Sequence, residues 1–248
     1  MIGNLDGDLI AFRCSASVGL EGEEEIAILR TDKLMRDLLY NTESTSYNCY
    51  LSGRNNFRKK VNLDYKANRK DKEPPRWLQS CREYLIKEWN AVVSEGCEAD
   101  DLLGTVARRS EAKGMDVTIL SGDRDLLQLA TDKVLIRLPK TVRGKTTIEN
   151  YHTAEVLEKY QVTPPQIIEL KALMGDSSDN IPGIPGVGEK TATKMIVQFG
   201  SIENAHEHLE EVKPNKAKES LREHYDLAQL SKEQAVVETQ RETIKMLK

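Results

Sequence analysis

Acidic side chains cluster at four places along the 248-residue chain, and their spacing suggests shared chemistry. The motifs LDGD, EADD, SGDRD and GDSSD contain nine carboxylates: Asp6, Asp8, Glu98, Asp100, Asp101, Asp123, Asp125, Asp176 and Asp179. The first three motifs follow predicted strands, and the carboxyl ends of parallel strands open onto one crevice. We therefore expect these carboxylates to converge, and they would repel one another strongly unless cations lie between them.

Two divalent cations would relieve that repulsion. Ligand sets made only of oxygen atoms favour magnesium or manganese, and the sequence has no histidine or cysteine at the spacing of a zinc site. A pair of such ions about 4 Å apart is the usual arrangement for in-line attack of water on a phosphodiester. The carboxylates therefore predict a phosphodiester hydrolase with two Mg²⁺ ions, for which Mn²⁺ could substitute.

Simpler interpretations of the acidic motifs exist. The acidic residues of EADD could only cap a helix, and those of SGDRD could only form a turn. The motifs D-G-D and G-D-S-x-x-D, in this order, also occur in haloacid-dehalogenase-type phosphatases. In that fold the late motif follows a strand, whereas here it follows the helix-like run PPQIIELKALM. A non-catalytic DNA-binding protein that kept the scaffold of a nuclease is a further alternative, although it would be expected to have lost several of the carboxylates.

The run GIPGVGEKTA, after the last acidic motif, has the composition of a phosphate-binding hairpin between two helices. Gly186 and Gly188 permit a tight turn and close approach of the backbone, and the amides at the start of the next helix can bind a phosphate. Lys190 and Lys194, one turn apart on that helix, would add positive charge along the same strand of nucleic acid. The alternative is a glycine-proline corner between two packed helices.

Positive charge is concentrated between residues 54 and 72, although the whole chain has a formal net charge of −4. This segment contains eight basic and two acidic residues, a net charge of +6, and so predicts an anionic partner. A run of charges is often only a solvated surface. Here Phe57, Tyr65 and Trp77 accompany the basic residues, and this pattern favours contact with single-stranded nucleic acid.

Short apolar runs alternate with longer amphipathic stretches in the first half of the chain, which is typical of a mostly parallel sheet flanked by helices. The predicted strands are 2–5, 46–51, 91–93, 116–120 and 133–138, with a hairpin at 141–150. The predicted helices are 31–40, 75–89, 98–113, 153–160, 164–174 and 189–199. We therefore predict an α/β core at 1–174, with a basic arch segment at about 54–90, and a helical module at 175–248.

The composition is that of an ordinary globular protein, with 39% hydrophobic and 31% charged residues. The sequence has no run of about 18 apolar residues and no signal-peptide pattern, so we expect a cytoplasmic protein without a membrane partner. The four cysteines form no C-x-x-C pair, which argues against a zinc ribbon or a disulfide framework. No sequence feature indicates the oligomeric state.

Taken together, these motifs resemble those of the 5′ nuclease superfamily, the flap endonucleases and 5′→3′ exonucleases that include the N-terminal domain of bacterial DNA polymerase I and tailed-phage exonucleases. The resemblance rests on LDGD, FRKKVNLDYKANRK, EADD, SGDRDLLQL and MGDSSDNIPGIPGVGEKTA, and it covers nearly the whole chain. It implies a PIN-like nuclease core, a helix-hairpin-helix module of the helix-three-turn-helix type, and magnesium-dependent cleavage of DNA at 5′ ends and 5′ flaps, with RNA primers as a further substrate. Because the chain ends without a polymerase, we expect a free-standing, phage-encoded enzyme in the host cytoplasm.

The resemblance also implies roles for individual residues. The expected ligands of one magnesium are Asp6, Glu98, Asp100 and Asp123, those of the second are Asp125, Asp176 and Asp179, and Asp101 is expected between them or in the outer shell. Residues expected to act on the scissile phosphate are Lys66 and Arg69. Residues expected to contact DNA are Arg58, Tyr65, Arg124, Gly186, Gly188, Lys190 and Lys194, with Tyr65 stacked on a frayed base. A potassium ion is expected at the hairpin carbonyls of Gly183, Ile184 and Val187, bridging to a DNA phosphate.

Two positions depart from the family pattern. Leu51 stands where many relatives carry an aspartate on the second strand, which removes one outer carboxylate. Arg124 stands where a lysine is usual, a change that retains phosphate affinity but alters its geometry.

Overall fold

The sheet of the protein lies at its centre. The computed structural model describes residues 1–54, 56–69, 73–142 and 145–239, without the side chains of 61, 69, 141–142 and 145–146. The strands are β1 (Ile2–Asp6), β2 (Ser46–Leu51), β3 (Val92–Val93), β4 (Val117–Leu120), β5 (Val134–Val142) and β6 (Lys145–Tyr151). Within these residues the six strands form one sheet in the order β3-β2-β1-β4-β5-β6, and every pair is parallel except the β5-β6 hairpin.

Helices cover both faces of this sheet. They are α1 (Gly7–Val18), α2 (Glu24–Asn41), α3 (Arg58–Val61), α4 (Leu78–Trp89), α5 (Ala99–Ala112), α6 (Thr153–Tyr160), α7 (Ile167–Met174), α8 (Glu189–Phe199), α9 (Ile202–Glu207), α10 (Asn215–Glu223) and α11 (Tyr225–Ala235). Short 3₁₀ turns occur at Ala67–Arg69, Arg124–Leu129, Pro164–Gln166 and Leu209–Glu211. None of the helices in the described ranges combines the length and the apolar character that a membrane span requires.

Two hydrophobic clusters pack against opposite faces of the sheet, because side chains alternate along each strand. One cluster includes Leu5 and Leu51 and is covered by α1, α2 and α4. The other includes Ile119 and Ile136, and it continues from α5 through α7 to the C-terminal helices as far as Val237. The helices after residue 174 therefore share a hydrophobic core with the sheet, and the division at residue 174 stays a prediction.

The parallel register directs the acidic motifs to one edge of the sheet. Strand β1 pairs with both β2 and β4, and Leu5 lies opposite Cys49 on one side and Leu120 on the other. Asp6 is the last residue of β1, and Asp123 follows β4 closely. Their side chains therefore start from neighbouring strand ends, as the α/β interpretation predicts.

Two glycines shape the acidic loop, which we define as residues 175–183. Gly175 ends α7 with φ +79° and Gly183 has φ +62°. A Cβ atom on Gly183 would lie only 2.3 Å from the nitrogen of Gly175, so the two backbones touch where only glycine fits. Between them, Asp176 and Ile181 exchange two main-chain hydrogen bonds of 2.8 Å. The loop is therefore compact and returns to its own starting point.

The predicted fold class is confirmed, and the bounds of β2, α6 and α8 agree with the prediction. Helix α1 is not predicted, because Gly7 after a strand suggests an exit into a loop. Helix α2 begins at Glu24 rather than at residue 31, since Ala27 is buried on the same helical face as Thr31. Helix α4 begins at Leu78 rather than at Pro75, the residue at which the predicted helix starts.

Candidate active site

An acidic cavity lies where β1, β4 and α5 meet at the carboxyl edge of the sheet. Its volume is about 320 Å³, and its charged lining residues are Asp6, Asp8, Lys66, Arg82, Glu98, Asp100 and Asp123. Two hydrogen bonds fix Asp6: the amide of Leu9 donates to Oδ1 over 3.0 Å, and the hydroxyl of Ser121 donates to Oδ2 over 2.6 Å. The structure thus brings together residues from the motifs LDGD, EADD and SGDRD.

The carboxylates of this first cavity are crowded. Burial raises the pKa of Asp6, and repulsion from Asp123 adds to the effect. Burial also raises the pKa of Asp100 well above its usual range, and the neighbouring carboxylates raise it further. A divalent cation would relieve this repulsion, and carboxylate oxygens are the donors that magnesium prefers. The donor chemistry of the first cavity therefore suits a divalent ion, whereas the three carboxylates that the described residues bring within 4.8 Å of one another belong to the neighbouring group.

A second acidic group adjoins the first. Carboxylate oxygens of Asp123, Asp125 and Asp179 lie within 4.8 Å of one another, so Asp123 belongs to both groups. Asp176 lines a neighbouring cavity of about 480 Å³ together with Asp123 and Asp125. Burial, followed by repulsion from Asp123, raises the pKa of Asp125 to about 7. This group also consists of oxygen donors and fits a divalent ion.

Lys171 lies among the carboxylates of the second group, a position that the sequence patterns do not predict. Its Nζ is 2.8 Å from Oδ2 of Asp176 and 3.7 Å from Oδ2 of Asp179, and it donates to Oδ2 of Asp125. Burial would lower the pKa of Lys171, but the attraction of these carboxylates outweighs burial and raises it. Burial would likewise raise the pKa of Asp176, yet hydrogen bonds from Lys171 and Ser178 lower it to about 2.

Lys66 bridges the two acidic groups. Its Nζ is 2.7 Å from Oε1 of Glu98 and 3.8 Å from Oδ1 of Asp179. The residue has a left-handed backbone with φ +55°, and this conformation directs its amide to the carbonyl of Asp179, 3.0 Å away. The lysine predicted to act on the scissile phosphate is therefore placed at the acidic site.

Tyr65 differs from its predicted place. Only 3% of the residue is exposed, and its hydroxyl donates a hydrogen bond to Oε2 of Glu98 over 3.0 Å. Its ring is therefore packed inside the protein and is not offered to a frayed base in this conformation. The side chain of Arg69, its predicted neighbour at the phosphate, lies outside the described part of the chain.

Arg58 and Asp101 also differ from their predicted places, because they pair with each other inside the protein. Both are buried, and two hydrogen bonds of 2.8 Å join the guanidinium to the carboxylate. The amides of Glu98 and Glu238 donate to the same carboxylate over 2.9 Å. The oxygens of Asp101 are thus already used within the protein, and Arg58, at 3% exposure, does not reach a surface where DNA could lie.

A second arginine, Arg82, lies at the wall of the first cavity and was not predicted. It donates to Oδ1 of Asp8 and, over 2.7 Å, to the carbonyl of Ser52. The amide of Ser52 in turn donates to Oδ2 of Asp8 over 2.7 Å. Leu51 of β2 is fully buried in the core. Asp8 therefore supplies a carboxylate near this strand end, but one that is paired with an arginine.

Two exposed side chains stand at the openings of the cavities. Arg124 lines the second cavity, as its predicted contact with DNA requires. Phe12 of α1 lines both cavities and is 53% exposed, although no sequence pattern singled it out. The signal that could have found it is its position four residues, about one helical turn, beyond Asp8, which lines the first cavity from the same helix.

The predicted phosphate-binding hairpin is exposed at the surface. Gly186 has φ +73°, and Gly188 is the N-cap residue of α8. Lys190 and Lys194 are exposed on that helix. Ile184 and Val187 are buried and anchor the turn, while Gly186 and Gly188 are exposed. Binding of DNA by this hairpin, and of potassium by its carbonyls, stays a prediction.

Comparison with known proteins agrees with the fold. The family model described as the 5′-3′ exonuclease N-terminal resolvase-like domain matches residues 4–161, and the model of the 5′-3′ exonuclease C-terminal SAM fold matches residues 162–246. DNA polymerase I of Bacillus caldotenax is 39% identical over 244 residues, which cover 94% of this chain and 27% of that protein. The chain thus spans about a quarter of the length of this relative.

Solved structures from bacteriophage T5 are also similar. A T5 5′-exonuclease with bound zinc ions superposes with a TM-score of 0.75 and 24% identity, covering 93% of this chain and 87% of the other. A T5 flap endonuclease, described as a pseudo-enzyme-product complex with DNA and metal ions, gives a TM-score of 0.73 and 23% identity, with coverages of 93% and 87%. At these identities, the T5 structures show that the fold is shared and nothing more. The two family models, in contrast, match nearly the whole sequence. The chain therefore belongs to the 5′-3′ exonuclease family, with both the N-terminal resolvase-like domain and the C-terminal SAM fold.

Proposed function

We propose that the protein is a magnesium-dependent 5′→3′ exonuclease and flap endonuclease that hydrolyses DNA phosphodiesters with two metal ions. The observation that carries this proposal is the junction of two groups of oxygen donors through Asp123, with Lys66 between them. Family membership supports the reaction class. The metal ions and DNA bound by the T5 protein support a metal cofactor and a DNA substrate.

The carboxylates would act as ligands. When bound, two divalent ions activate the attacking water and offset the charge that develops on the phosphodiester. The residues proposed to hold one ion are Asp6, Glu98, Asp100 and Asp123, and those proposed to hold the other are Asp125, Asp176 and Asp179. Since the last two come from the acidic loop, this loop must stay docked on the core for the second group to be complete.

Lys66 would orient the scissile phosphate. Its ammonium is already directed at the junction of the two groups, and an ammonium forms short, strong hydrogen bonds with phosphate oxygens. An entering phosphate would replace Glu98 as its partner. Arg69, three residues further along the arch segment, is proposed to assist at the same phosphate.

The exposed elements around the cavities would hold the rest of the substrate. The hairpin of Gly186 and Gly188 would bind a phosphate of the duplex through its amides, with Lys190 and Lys194 beside it. A potassium ion at the hairpin carbonyls is proposed to strengthen this contact. Phe12 would offer an aromatic face to a base next to the cut, which stabilises unpaired nucleotides by stacking.

A flap-cleavage assay tests this function. A duplex with a labelled 5′ flap should be shortened when Mg²⁺ or Mn²⁺ is present, and chelation should stop the reaction. Asp176→Asn should lower the rate by roughly a hundredfold or more, because it removes a charge from the second group. The matched control is Asp116→Asn, at an exposed position before β4, which should retain the wild-type rate.

Two outcomes would contradict the proposal. Cleavage without metal, or an Asp176→Asn variant as fast as the control, would exclude the two-metal mechanism. Release of inorganic phosphate without shortening of the strand would indicate a phosphatase instead. The same duplex with an RNA segment at its 5′ end tests whether primers are also cut.

A further inference from the structure

Lys171 is a buried ammonium group at the place where the proposed function puts the second metal ion. It belongs to α7, a helix whose neighbouring residues Leu170, Ala172 and Leu173 are buried in the core. Its side chain is only 9% exposed. A lysine on the buried side of an apolar helix is unusual unless it has partners of opposite charge. Its partners here are three carboxylates that belong to the second acidic group.

The ammonium and a second metal ion would use the same carboxylates. Asp125 and Asp179, two of the residues whose carboxylates lie within 4.8 Å of one another, both pair with Lys171. Asp176 is its third partner, with 2.8 Å between Nζ and Oδ2. A divalent ion coordinated by these carboxylates would lie a few ångströms from the ammonium, and like charges at that distance repel strongly. Lys171 therefore has to withdraw before the second position can be filled.

A neighbouring cavity offers room for that withdrawal. It has a volume of about 260 Å³, and its polar lining consists of Lys171 itself, Tyr160 at the end of α6 and Glu189 at the start of α8, together with Arg124, Asp125 and Asp176. Within the described residues, the buried hydroxyl of Tyr160 has no hydrogen-bond partner. A buried polar atom without a partner is costly and needs an explanation. Because this hydroxyl is enclosed, it would have to turn towards an ammonium in the cavity to accept its hydrogen bond, and Glu189 would supply a counter-charge.

We propose that Lys171 is the resident counter-ion of the second metal position, holding its carboxylates together until a divalent ion takes them and the ammonium withdraws towards Tyr160. This inference rests on the proposed metal-dependent function. It predicts that the two positions fill in order. The first fills at low concentrations of divalent ion, and the second fills only where the ion outcompetes the lysine.

The test measures metal binding rather than cleavage. Mn²⁺ is titrated into the wild-type protein and into Lys171→Met, without DNA, by isothermal calorimetry and by the electron paramagnetic resonance of free Mn²⁺. Lys171→Met should bind the second ion roughly tenfold or more tightly than wild type, because a competing positive charge is removed. Without metal, the same variant should unfold at a lower temperature, since its carboxylates repel one another, and Mn²⁺ should restore the loss.

Lys232→Met is the matched control. Lys232 is another partly buried lysine that joins two carboxylates, with Nζ 2.6 Å from Oε1 of Glu169 and 2.7 Å from Oε1 of Glu203. This variant should also lose stability, but Mn²⁺ should not restore the loss, and the affinity for the second ion should equal that of wild type. Tyr160→Phe should weaken binding of the second ion severalfold, because the withdrawn ammonium loses its acceptor.

The outcomes separate this inference from the proposed function. If wild type binds two ions and Lys171→Met binds the second with equal or lower affinity, Lys171 is only a structural ion pair and the inference is overturned. The proposed metal-dependent function fails if Mn²⁺ binds neither to wild type nor to Lys171→Met. It also fails if Asp123→Asn does not abolish the binding. In both cases the inference fails with it.

Discussion

The main-chain amide of Lys66 donates a hydrogen bond to the main-chain carbonyl of Asp179, and 3.0 Å separate the two atoms. Close to it, the side-chain amide of Asn180 donates to the carbonyl of Asp64 over 2.8 Å. The arch segment and the acidic loop are distant in sequence, yet these bonds join them directly beside the candidate site. Any movement of the arch segment at this point therefore also displaces a predicted metal ligand.

The junction between the arch segment and the acidic loop can be tested at Asn180, whose backbone is left-handed with φ +58°. Asn180→Gly and Asn180→Ala both remove the bond to Asp64, and each should destabilise the protein by about 1 kcal/mol or more. The alanine variant should lose up to about 1 kcal/mol more than the glycine variant, because a Cβ atom disfavours this conformation. Urea unfolding measures both, and an alanine variant more stable than the glycine variant would contradict the assignment.

Lys66 should contribute to the rate of cleavage more than to binding. Lys66→Met is expected to lower kcat by roughly a hundredfold, with a much smaller change in Kd for flap DNA, because its ammonium is placed at the reacting phosphate. The comparison is Lys60→Met, an exposed lysine of the same basic segment, which should affect Kd only. Single-turnover cleavage and fluorescence anisotropy separate the two effects. Equal changes in kcat for both variants would exclude the proposed role.

Removing one partner from the buried pair of Arg58 and Asp101 should destabilise the protein strongly. Arg58→Met leaves a carboxylate buried without its cation and is expected to cost about 3–5 kcal/mol in the free energy of unfolding. The double variant Arg58→Met/Asp101→Leu should be more stable than the sum of the two single losses predicts, because it removes both charges together. Denaturant unfolding of all four proteins gives the coupling. Strict additivity would show that the two side chains do not depend on each other.

The stability of the metal-free protein should depend on pH through Asp125. Its pKa is raised from 3.8 to about 7, so the folded protein holds this proton more tightly than the unfolded chain does. The resulting stabilisation is complete below pH 3.8 and is lost as the pH rises towards 7, by up to about 1.4 kcal/mol per pH unit. Asp125→Asn should show a shallower decline over this interval in thermal unfolding with chelator present. An unchanged slope would show that other groups cause the decline.

The hairpin module can be tested through the salt dependence of DNA binding. Lys190 and Lys194 are proposed to contact two phosphates, and each contact contributes about 0.9 to the slope of log K against log salt concentration. The double variant Lys190→Met/Lys194→Met should therefore reduce this slope by about 2 for duplex DNA. Lys140→Met/Lys159→Met, on the β5-β6 side of the protein, should leave the slope unchanged. Binding is measured at several salt concentrations with Ca²⁺ in place of Mg²⁺.

The features that local sequence patterns determine were predicted correctly. Alternating apolar runs predicted the parallel sheet, and acidic motifs after strands predicted the convergence of Asp6, Glu98 and Asp123, because strand ends in a parallel sheet must meet. The start of α8 was predicted from the glycines before it, which suit a turn and leave the first amides of the helix unpaired.

Other features depend on distant contacts that local patterns do not contain. In the sequence, Lys171 is indistinguishable from an ordinary helix residue. Its ion pair with Asp125 forms only because α7 packs beside that residue in the folded protein. Arg58 looks like part of a DNA-binding run, but its guanidinium donates to the carbonyls of Gln234 and Val236, at the opposite end of the chain. Tertiary packing therefore determines where the side chain of Arg58 lies, and the charge of its sequence neighbours does not. The same holds for Asp101, its partner.

The close contact between Gly175 and Gly183 has a consequence for the products of the proposed reaction. It closes the acidic loop at its base, so that the carboxylates and the hairpin at Gly186 are separated by a fixed stretch of backbone rather than by flexible side chains. The backbone between the acidic loop and the hairpin would then fix the number of nucleotides between the cleaved bond and the duplex that the hairpin binds. Substitutions among the site side chains should slow the reaction while leaving the length of the released fragment unchanged, and only insertion or deletion in residues 175–188 should shift the position of the cut.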